Sequence, residues 1–356
     1  MASKETLSDI IKKVNKESGN LISVGMKDFK RERIPFTSTR MNYCLFGGLP
    51  KGQMIEFRGE EHSGKTTSAF DSIANFQKSD DGRQVMYVDV ETSFDPEWAT
   101  KIGVDVDNLL LFTPEEKPAE YILQVVLDAM KTGQLGMVVI DSIAAMFSDK
   151  ETEDLDKAVV AGISKALSRF AKEAVGLSHK YNTTVIGINQ PRDKIGYMAY
   201  GTYTPGGREW RHLCNTILEF RKGKYIDKKG KELTGSPESP YGQTILMSMV
   251  KNKTCPPTRR TGFYTINFDT GVDYAFDLIS LGIKYGIIQG SSWYNIIDIE
   301  TGEVIREKIH GQGDLYNLIK DDEELRLWLE GQLEKMYTQE ETEDADEDDL
   351  ADSEDL

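Results

Sequence analysis

The sequence is poor in the residues that hold small secreted proteins or structural metal sites together. Its 356 residues include three cysteines, Cys44, Cys214 and Cys255, which are odd in number and far apart. This usage argues against a disulfide framework and favours reduced thiols in the cytosol. The four histidines show no metal-ligand spacing with one another or with cysteine, so no zinc site is predicted.

Long apolar stretches are also absent. The apolar runs are short, such as GMVVI at 136–140, and none approaches the length of a membrane span. The beginning, MASKETLSDIIKK, has no long apolar core, so we expect no secretory signal. Because hydrophobic residues make up 39% and charged residues 29% of the chain, the composition predicts a soluble, cytoplasmic globular protein without a membrane partner.

Basic residues are missing from the C-terminal end. The net charge is −16, with 59 acidic and 43 basic residues in all. Residues 340–356 hold 11 of the acidic residues and no basic one, so 48 acidic residues face 43 basic ones in the rest of the chain. The body is therefore close to balanced and can bind a negatively charged partner. We expect the tail, residues 338–356, to be disordered, either as a solubility device or as a competitor of such a partner.

The sequence does contain a regular alternation of strand and helix patterns. Between residues 53 and 188, apolar strand-like runs alternate with helical ones, as in QMIEFR followed by GKTTSAFDSIANFQ. This predicts an α/β fold with a mostly parallel central sheet and helices on both faces. After residue 215 strands dominate. The predicted divisions are an N-terminal amphipathic helix with a linking segment (1–34), a core (35–271), a small C-terminal α/β domain (272–337) and the tail (338–356).

A phosphate-binding loop follows the first of these strands. GEEHSGKT, Gly59–Thr66, fits G-x-x-x-x-G-K-[ST] between a predicted strand and a predicted helix. The backbone N–H groups of such a loop bind phosphate oxygens. Lys65 is expected to reach the outer phosphates, and the Thr66 hydroxyl is expected to ligate Mg²⁺. The predicted ATP contacts in this stretch are Gly59, Glu60, Glu61, His62, Ser63, Gly64, Lys65, Thr66 and Thr67.

Carboxylates follow two further strands. Asp141 ends the apolar strand GMVVID, which suits a residue that holds Mg²⁺ through water. Glu91 comes just past the strand VMYVDV. Because the ends of neighbouring parallel strands form one crevice, Glu91 is placed to orient and deprotonate the water that attacks the terminal phosphate.

Together with later motifs, these features resemble the RecA family of ATP-dependent recombinases over about residues 35–300. The matching motifs are GGLPKGQMIEFRGEEHSGKTT, YVDVETSFDPEWATKIGVDVDNLL, VVIDSIAAM, INQPRDKIG, TPGG and MVKNKTCPP. SDKETED and SSWYNIIDIETGEVIRE resemble the UvsX-type recombinases of bacteriophages more than bacterial RecA. The resemblance implies a RecA-like P-loop ATPase core that uses ATP and Mg²⁺.

The resemblance also implies roles for residues around ATP. Glu91 matches the catalytic carboxylate, and Gln190 matches the residue that senses the terminal phosphate and relays nucleotide state to a DNA-binding loop. The predicted catalytic residues are thus Lys65, Glu91 and Gln190. Asp95 and Trp98 match the positions that hold adenine.

Two lysines match residues that reach into the ATP site of the neighbouring subunit. They are Lys251 and Lys253 in MVKNKT. Two residues apart on a strand, they are expected to face the same way. Without the resemblance, the same spacing favours a solvated edge strand.

The segment NQPRDKIGYMAYGTYTPGGREW, residues 189–210, matches the family's second DNA-binding loop. It begins at a predicted strand end and combines glycines, cations that pair with phosphates and tyrosines that stack on bases. We expect none of it in the hydrophobic core. The first DNA-binding loop is expected within 149–162. The predicted DNA contacts are Arg192, Lys194, Tyr197, Tyr200, Tyr203, Gly206, Gly207 and Arg208.

The predicted function is that of a DNA-dependent ATPase that forms filaments on single-stranded DNA and exchanges strands with homologous duplex DNA. A head-to-tail subunit contact that does not close builds such a filament, and the N-terminal helix is expected to dock on the next subunit. Loader and single-strand-binding proteins are further expected partners. Two alternatives are a hexameric helicase-type ATPase, which segment 189–210 disfavours, and a non-catalytic DNA-binding mediator, which the intact phosphate-binding loop disfavours.

Overall fold

The computed structural model describes residues 6–18, 31–79, 81–148, 160–193, 202–227, 232–235 and 237–336. The chain divides into two compact units, one ending at Glu32 and one beginning at Arg33. The first unit contains helix α1 (Leu7–Ser18). Its start is capped reciprocally, since the Asp9 carboxylate accepts the Thr6 N–H at 3.1 Å and Thr6 Oγ1 accepts the Asp9 N–H at 3.3 Å. Leu7 and Ile10 leave an apolar side of α1 exposed.

The second unit contains all the other helices and strands of the described chain. Its helices are α2 (Thr39–Cys44), α3 (Lys65–Gln77), α4 (Pro96–Ile102), α5 (Ala119–Lys131), α6 (Val160–Tyr181), α7 (Gly207–Leu213), α8 (Tyr274–Lys284), α9 (Gly311–Asp321) and a helical stretch over 323–336. Its strands are β1 (Arg33–Ile34), β2 (Leu49–Pro50), β3 (Met54–Gly59), β4 (Gln84–Asp89), β5 (Leu109–Phe112), β6 (Leu135–Asp141), β7 (Thr184–Asn189), β8 (Arg192–Asp193), β9 (Thr202–Tyr203), β10 (Thr216–Ile226), β11 (Gly242–Asn252), β12 (Thr261–Asn267), β13 (Gly271–Asp273), β14 (Ile288–Gly290), β15 (Trp293–Ile297) and β16 (Val304–His310). Val106–Asn108 and Ile143–Ala145 are short 3-10 turns.

A nine-stranded sheet forms the centre of this unit, in the order β13-β12-β11-β10-β3-β7-β6-β4-β5. The strands from β10 to β5 run parallel to their neighbours. The strands β11, β12 and β13 continue the sheet in antiparallel pairing. The mixed α/β fold with a mostly parallel sheet and helices on both faces is therefore confirmed.

Alternate residues of the central strands serve two separate cores. In β6, which is buried along its whole length, Met137 and Val139 join one apolar cluster, and Val138 and Ile140 join the other. This alternation is what a strand covered by helices on both faces requires. The sheet is thus fixed from both sides, which holds the loops at its strand ends in place.

A small sheet and three helical stretches follow the central sheet. Strands β14, β15 and β16 pair in antiparallel order beside α8, α9 and the 323–336 helix. Leu278, Ile296 and Leu329 are fully buried in a shared core. The small C-terminal α/β part is therefore present. The exact domain boundaries stay predictions, and the acidic tail lies outside the described residues. Within the part of the chain that the structure covers, no helix is both long and apolar enough to cross a membrane.

The expectation that segment 189–210 stays out of the core is wrong at both ends. Its first residue, Asn189, is fully buried, and at its other end the chain forms α7, in which Trp210 is fully buried. Its ring stacks on Phe170 of α6 with 6.4 Å between centroids. Gly187 of β7 leaves the space, since a Cβ there would lie 2.5 Å from the indole ring. One aromatic residue among glycines and cations thus anchors the return of the segment.

Candidate ATP site and DNA interface

Four adjacent strands of the parallel sheet end at one edge, and each ends in a predicted site residue or motif. In sheet order these are β4 before Glu91, β6 with Asp141, β7 before Gln190 and β3 before the phosphate-binding loop. They surround a cavity of about 450 Å³. Its lining is Glu61, His62, Ser63, Gly64, Lys65, Thr66, Thr67, Glu91, Ser93, Trp98, Asp141, Gln190, Gln243, Ile245, Ile266 and Phe268.

The phosphate-binding loop keeps its shape through two glycines. Gly64 caps the N-terminus of α3 with a φ of +88°, a conformation that side chains with a Cβ disfavour. Gly59 approaches the neighbouring strand, and a Cβ there would lie 2.2 Å from the Phe220 carbonyl oxygen. Lys65 Nζ donates to the Glu60 carbonyl oxygen at 2.6 Å. Burial lowers the pKa of Lys65, against the opposing effect of nearby carboxylates, so this ammonium gains from a phosphate partner.

Thr66 and Asp141 lie side by side, as a shared Mg²⁺ site requires. Thr66 Oγ1 donates to Asp141 Oδ2 at 2.8 Å, and the buried Tyr87 hydroxyl donates to the same oxygen at 2.8 Å. Burial raises the pKa of Asp141, and these two hydrogen bonds lower it. No cluster of three or more His, Cys, Asp or Glu side chains suited to a metal occurs in the described residues. An ion held mainly by phosphates and water, with one hydroxyl and one outer carboxylate, fits this donor set.

Glu91 lies at the mouth of the cavity on a loop that Asp89 organises. The Asp89 carboxylate accepts the N–H groups of Ser93 at 3.0 Å and Phe94 at 2.9 Å. Glu91 Oε1 accepts hydrogen bonds from the Ser142 hydroxyl and from Gln190 Nε2, the latter at 3.4 Å. The structure thus brings the predicted catalytic carboxylate and the predicted sensor glutamine into contact.

The residues assigned to adenine occupy different positions. Trp98 lines the cavity, and its Nε1 donates to Thr67 Oγ1 at 3.3 Å. Asp95 is exposed and outside the lining, and its Oδ1 caps α4 by accepting two backbone N–H groups at 2.9 and 3.1 Å. Asp95 thus fixes the start of the helix that carries Trp98, and its adenine contact stays a prediction.

Part of the cavity wall was missed by the sequence analysis. Gln243 and Ile245 come from β11, Ile266 comes from β12, and Phe268 follows that strand. Phe268 is 40% exposed and therefore presents an apolar ring to the cavity. No local motif marks these residues, since only the sheet order brings β11 and β12 beside the phosphate-binding loop.

The lysines assigned to the neighbouring ATP site bind the end of α7 in their own chain. Lys251 Nζ donates to the carbonyl oxygens of Arg211 at 2.6 Å and His212 at 2.9 Å. Lys253 Nζ lies 3.4 Å from the His212 carbonyl oxygen. Both ammoniums therefore face the same helix end, where unpaired carbonyls favour positive charge.

The predicted DNA-binding segment has an ordered base. Arg192 of β8 pairs with Tyr203 of β9 through the backbone. The Arg192 guanidinium donates to the carbonyl oxygen of Ala144, three residues after the end of β6. Gly206 precedes α7, Gly207 begins it, and Arg208 is exposed on it. Lys194, Tyr197, Tyr200 and most of the expected first DNA loop, 149–159, lie outside the described residues.

The fold and the cavity define a P-loop nucleotide-binding protein of the α/β class. The family model for the RecA N-terminal domain matches residues 2–273. Protein RecA of Bacteroides thetaiotaomicron is 34% identical over 340 residues, covering 93% of this chain and 97% of the relative. Protein RecA of Chlorobaculum tepidum is 34% identical over 306 residues, covering 85% and 82%, and that of Nitratiruptor sp. is 35% identical over 301 residues, covering 82% and 84%. The chain therefore belongs to the RecA family.

Proposed function

We propose that the protein is a DNA-dependent ATPase of recombination and repair that acts in the cytoplasm. It assembles as a filament on single-stranded DNA and exchanges strands with a homologous duplex. The observation that carries this proposal is the hydrogen bond between Gln190 and Glu91. Gln190, which touches the candidate base of ATP hydrolysis, also lies at the start of the cationic, glycine-rich segment 189–210. ATP and DNA can therefore influence each other through one short piece of chain.

In the proposed reaction, Lys65 and the loop N–H groups hold the β- and γ-phosphates. The Thr66 hydroxyl and, through water, Asp141 would hold Mg²⁺, which would supply positive charge beside the phosphates. Glu91 takes a proton from the attacking water, and Gln190 donates a hydrogen bond to the γ-phosphate. Trp98 provides a flat surface for the adenine ring. The support is the common cavity that all six side chains line.

The proposed DNA surface adjoins the base of the segment. A polar cavity of about 620 Å³ lies beside both of its ends, touching Pro191 and Thr204. Its cations are Arg58, Arg211, Arg221 and Lys222. Glu219 pairs with Arg58 at 2.7 Å and with Arg221 at 2.5 Å, and Glu60 also lines the cavity, so two carboxylates offset part of this charge. Such a surface suits a phosphate backbone without reading base sequence.

The proposed filament joins subunits head to tail. The exposed apolar side of α1 provides one docking surface, and the ammoniums of Lys251 and Lys253 provide the contact with the neighbour's ATP. An interface that does not close gives a helix of unlimited length. Loader and single-strand-binding proteins remain expected partners, because a filament must start on DNA that other proteins cover.

Electron microscopy with single-stranded DNA and a slowly hydrolysed ATP analogue tests the proposal. A helical filament is expected. Closed rings would point to a helicase-type ATPase, and isolated particles on DNA would point to a mediator. ATP hydrolysis that single-stranded DNA stimulates is the matching biochemical result.

Within the RecA family, we infer a protein of the UvsX type found in bacteriophages. The support is the resemblance of residues 291–307, which form the β15–β16 hairpin. Sequencing of the DNA that flanks the gene tests this inference. Flanking capsid or tail genes are expected, and a set of bacterial housekeeping genes on both sides would contradict it.

A further inference from the structure

A buried asparagine touches both ends of the proposed DNA segment. Asn189 is the last residue of β7 and is fully buried. Its Oδ1 accepts the backbone N–H of Gln190 at 3.0 Å, where the segment leaves the sheet. Its Nδ2 donates to the carbonyl oxygen of Pro205 at 2.8 Å, where the segment returns. One side chain thus connects the departure and the return of the segment.

The same amide is fixed to the centre of the sheet by a buried carboxyl. Asn189 Nδ2 also donates to Glu56 Oε1 of β3 at 2.8 Å, and Glu56 is fully buried. This site needs two donors and one acceptor on one short side chain, which an amide supplies and a carboxylate does not. Burial raises the pKa of Glu56, while the bond from Asn189 lowers it.

The network contains two buried polar atoms that are left without a partner. Within the described chain, neither Glu56 Oε2 nor Trp210 Nε1 makes a hydrogen bond. A buried polar group without a hydrogen-bond partner destabilises the folded state, so two of them close together call for a reason. The Trp210 indole N–H is near enough to Glu56 to favour its ionised form. A small movement of α7, which carries Trp210, would bring the two groups together.

We propose that Glu56 and Asn189 are positioning residues that couple the position of the Gln190 backbone to the positions of Pro205 and α7. The inference deepens the proposed function and rests on it. When DNA moves the return end of the segment, the shared amide of Asn189 follows Pro205 and shifts the Gln190 backbone. Gln190 Nε2 is 3.4 Å from Glu91 Oε1, near the long limit of a hydrogen bond. A small shift therefore changes the strength of the hydrogen bond from Gln190 to Glu91.

The contrasting explanation is that this network only stabilises the fold. A purely stabilising role predicts variants that melt earlier and lose every activity together. A positioning role predicts that ATP binding is kept and that stimulation by single-stranded DNA is lost. The ratio of kcat with DNA to kcat without DNA separates the two, because a stabilising contact acts on both terms of the ratio.

The test compares Asn189→Ala, Glu56→Gln and the wild type in steady-state ATPase assays on the full chain. Glu56→Gln keeps the shape and an acceptor oxygen, so it remains informative if Asn189→Ala fails to fold. Asp277→Asn is the matched control, because Asp277 is an equally buried carboxyl on α8. Asn189→Ala is expected to lower the stimulation ratio about tenfold and Glu56→Gln about threefold, with KM for ATP within twofold of the wild type.

Two results would overturn the inference. One is a wild-type stimulation ratio in whichever of the two variants folds. The other is an equal fall of the stimulation ratio in Asp277→Asn, because the effect would then be explained by lost stability alone. A wild type that single-stranded DNA does not stimulate would instead overturn the proposed function, and this inference with it.

Discussion

Replacing Glu91 by glutamine should stop ATP hydrolysis while leaving the protein folded and able to bind ATP. Glu91 is exposed, and its Oε1 accepts from the Ser142 hydroxyl and from Gln190 Nε2. A glutamine oxygen can accept both bonds in the same place. The amide has no basic oxygen that takes a proton from water, so the substitution removes the chemistry and keeps the shape.

The magnitude follows from these contacts. A surface substitution that keeps its hydrogen bonds changes stability by about 0.5 kcal/mol or less. A general base contributes about 10²- to 10⁴-fold to the rate, which corresponds to roughly 2.7–5.4 kcal/mol of activation free energy. Glu91→Gln should therefore lower kcat by two to four orders of magnitude, by the same estimate, and leave the melting temperature and ATP affinity near those of the wild type.

The assay measures ATP turnover with single-stranded DNA, together with binding of a fluorescent ATP analogue. Glu303→Gln is the control, since it makes the same chemical change at an exposed site of the β15–β16 hairpin. The variant should also form filaments that persist, because hydrolysis no longer releases them. Turnover within a few-fold of the wild type would remove Glu91 from the mechanism.

Four further predictions address other parts of the molecule. Lys65→Ala should lower ATP affinity at least about tenfold through loss of a charge-assisted phosphate contact, and unchanged binding in a nucleotide titration would contradict this. Lys251→Ala with Lys253→Ala should lower DNA-stimulated ATPase, measured in mixed filaments with wild type; full activity of the double variant's own sites in every mixture would refute the cross-subunit role. Deleting residues 340–356 should strengthen duplex DNA binding most at low salt, because screening weakens tail and DNA contacts alike; overlapping titrations there would leave a solubility role. Burial raises the pKa of Asp277 to about 8, so between pH 5 and pH 8 the folded protein holds a proton that the unfolded chain has released, and the folded state loses stability as the pH rises. Asp277→Asn should therefore flatten the fall of the melting temperature from pH 5 to pH 8. Parallel curves for the wild type and the variant would disprove this explanation.

The parts of the site that a short stretch of sequence encodes were predictable. The loop at Gly59–Thr66 joins a strand to a helix, Glu91 comes two residues after the end of β4, and Asp141 is the last residue of β6. Parallel pairing then forces these strand ends to one edge. The same reasoning could not find Phe268 or Gln243, which reach the cavity only through the pairing of β10, β11 and β12.

The buried network around Asn189 was unpredictable for a different reason. In sequence, Glu56 is one polar residue within an apolar strand, and Asn189 is a strand-end residue of the kind that often begins a turn. Their partnership depends on β3 and β7 being neighbours, and on Trp210 returning to the sheet over Gly187. Polar groups inside a core take their meaning from the partners that satisfy them, and those partners are far away in the chain.

The two lysines proposed to reach the neighbour's ATP have a second role within their own subunit. Lys251 and Lys253 bind the last carbonyls of α7, and a hydrogen bond to a charged group is worth about 1.5–3 kcal/mol. In the proposed filament, the phosphates of the neighbour's ATP must replace these carbonyls as partners. The greater negative charge of a triphosphate favours that exchange, but the end of α7 then loses its cap. Because α7 also carries Trp210 and follows Pro205, ATP bound to the neighbouring subunit would loosen the return end of the DNA segment. Filament assembly, nucleotide binding and DNA binding would then share one short helix, and removing both lysines should speed amide hydrogen exchange in α7 even in the isolated subunit.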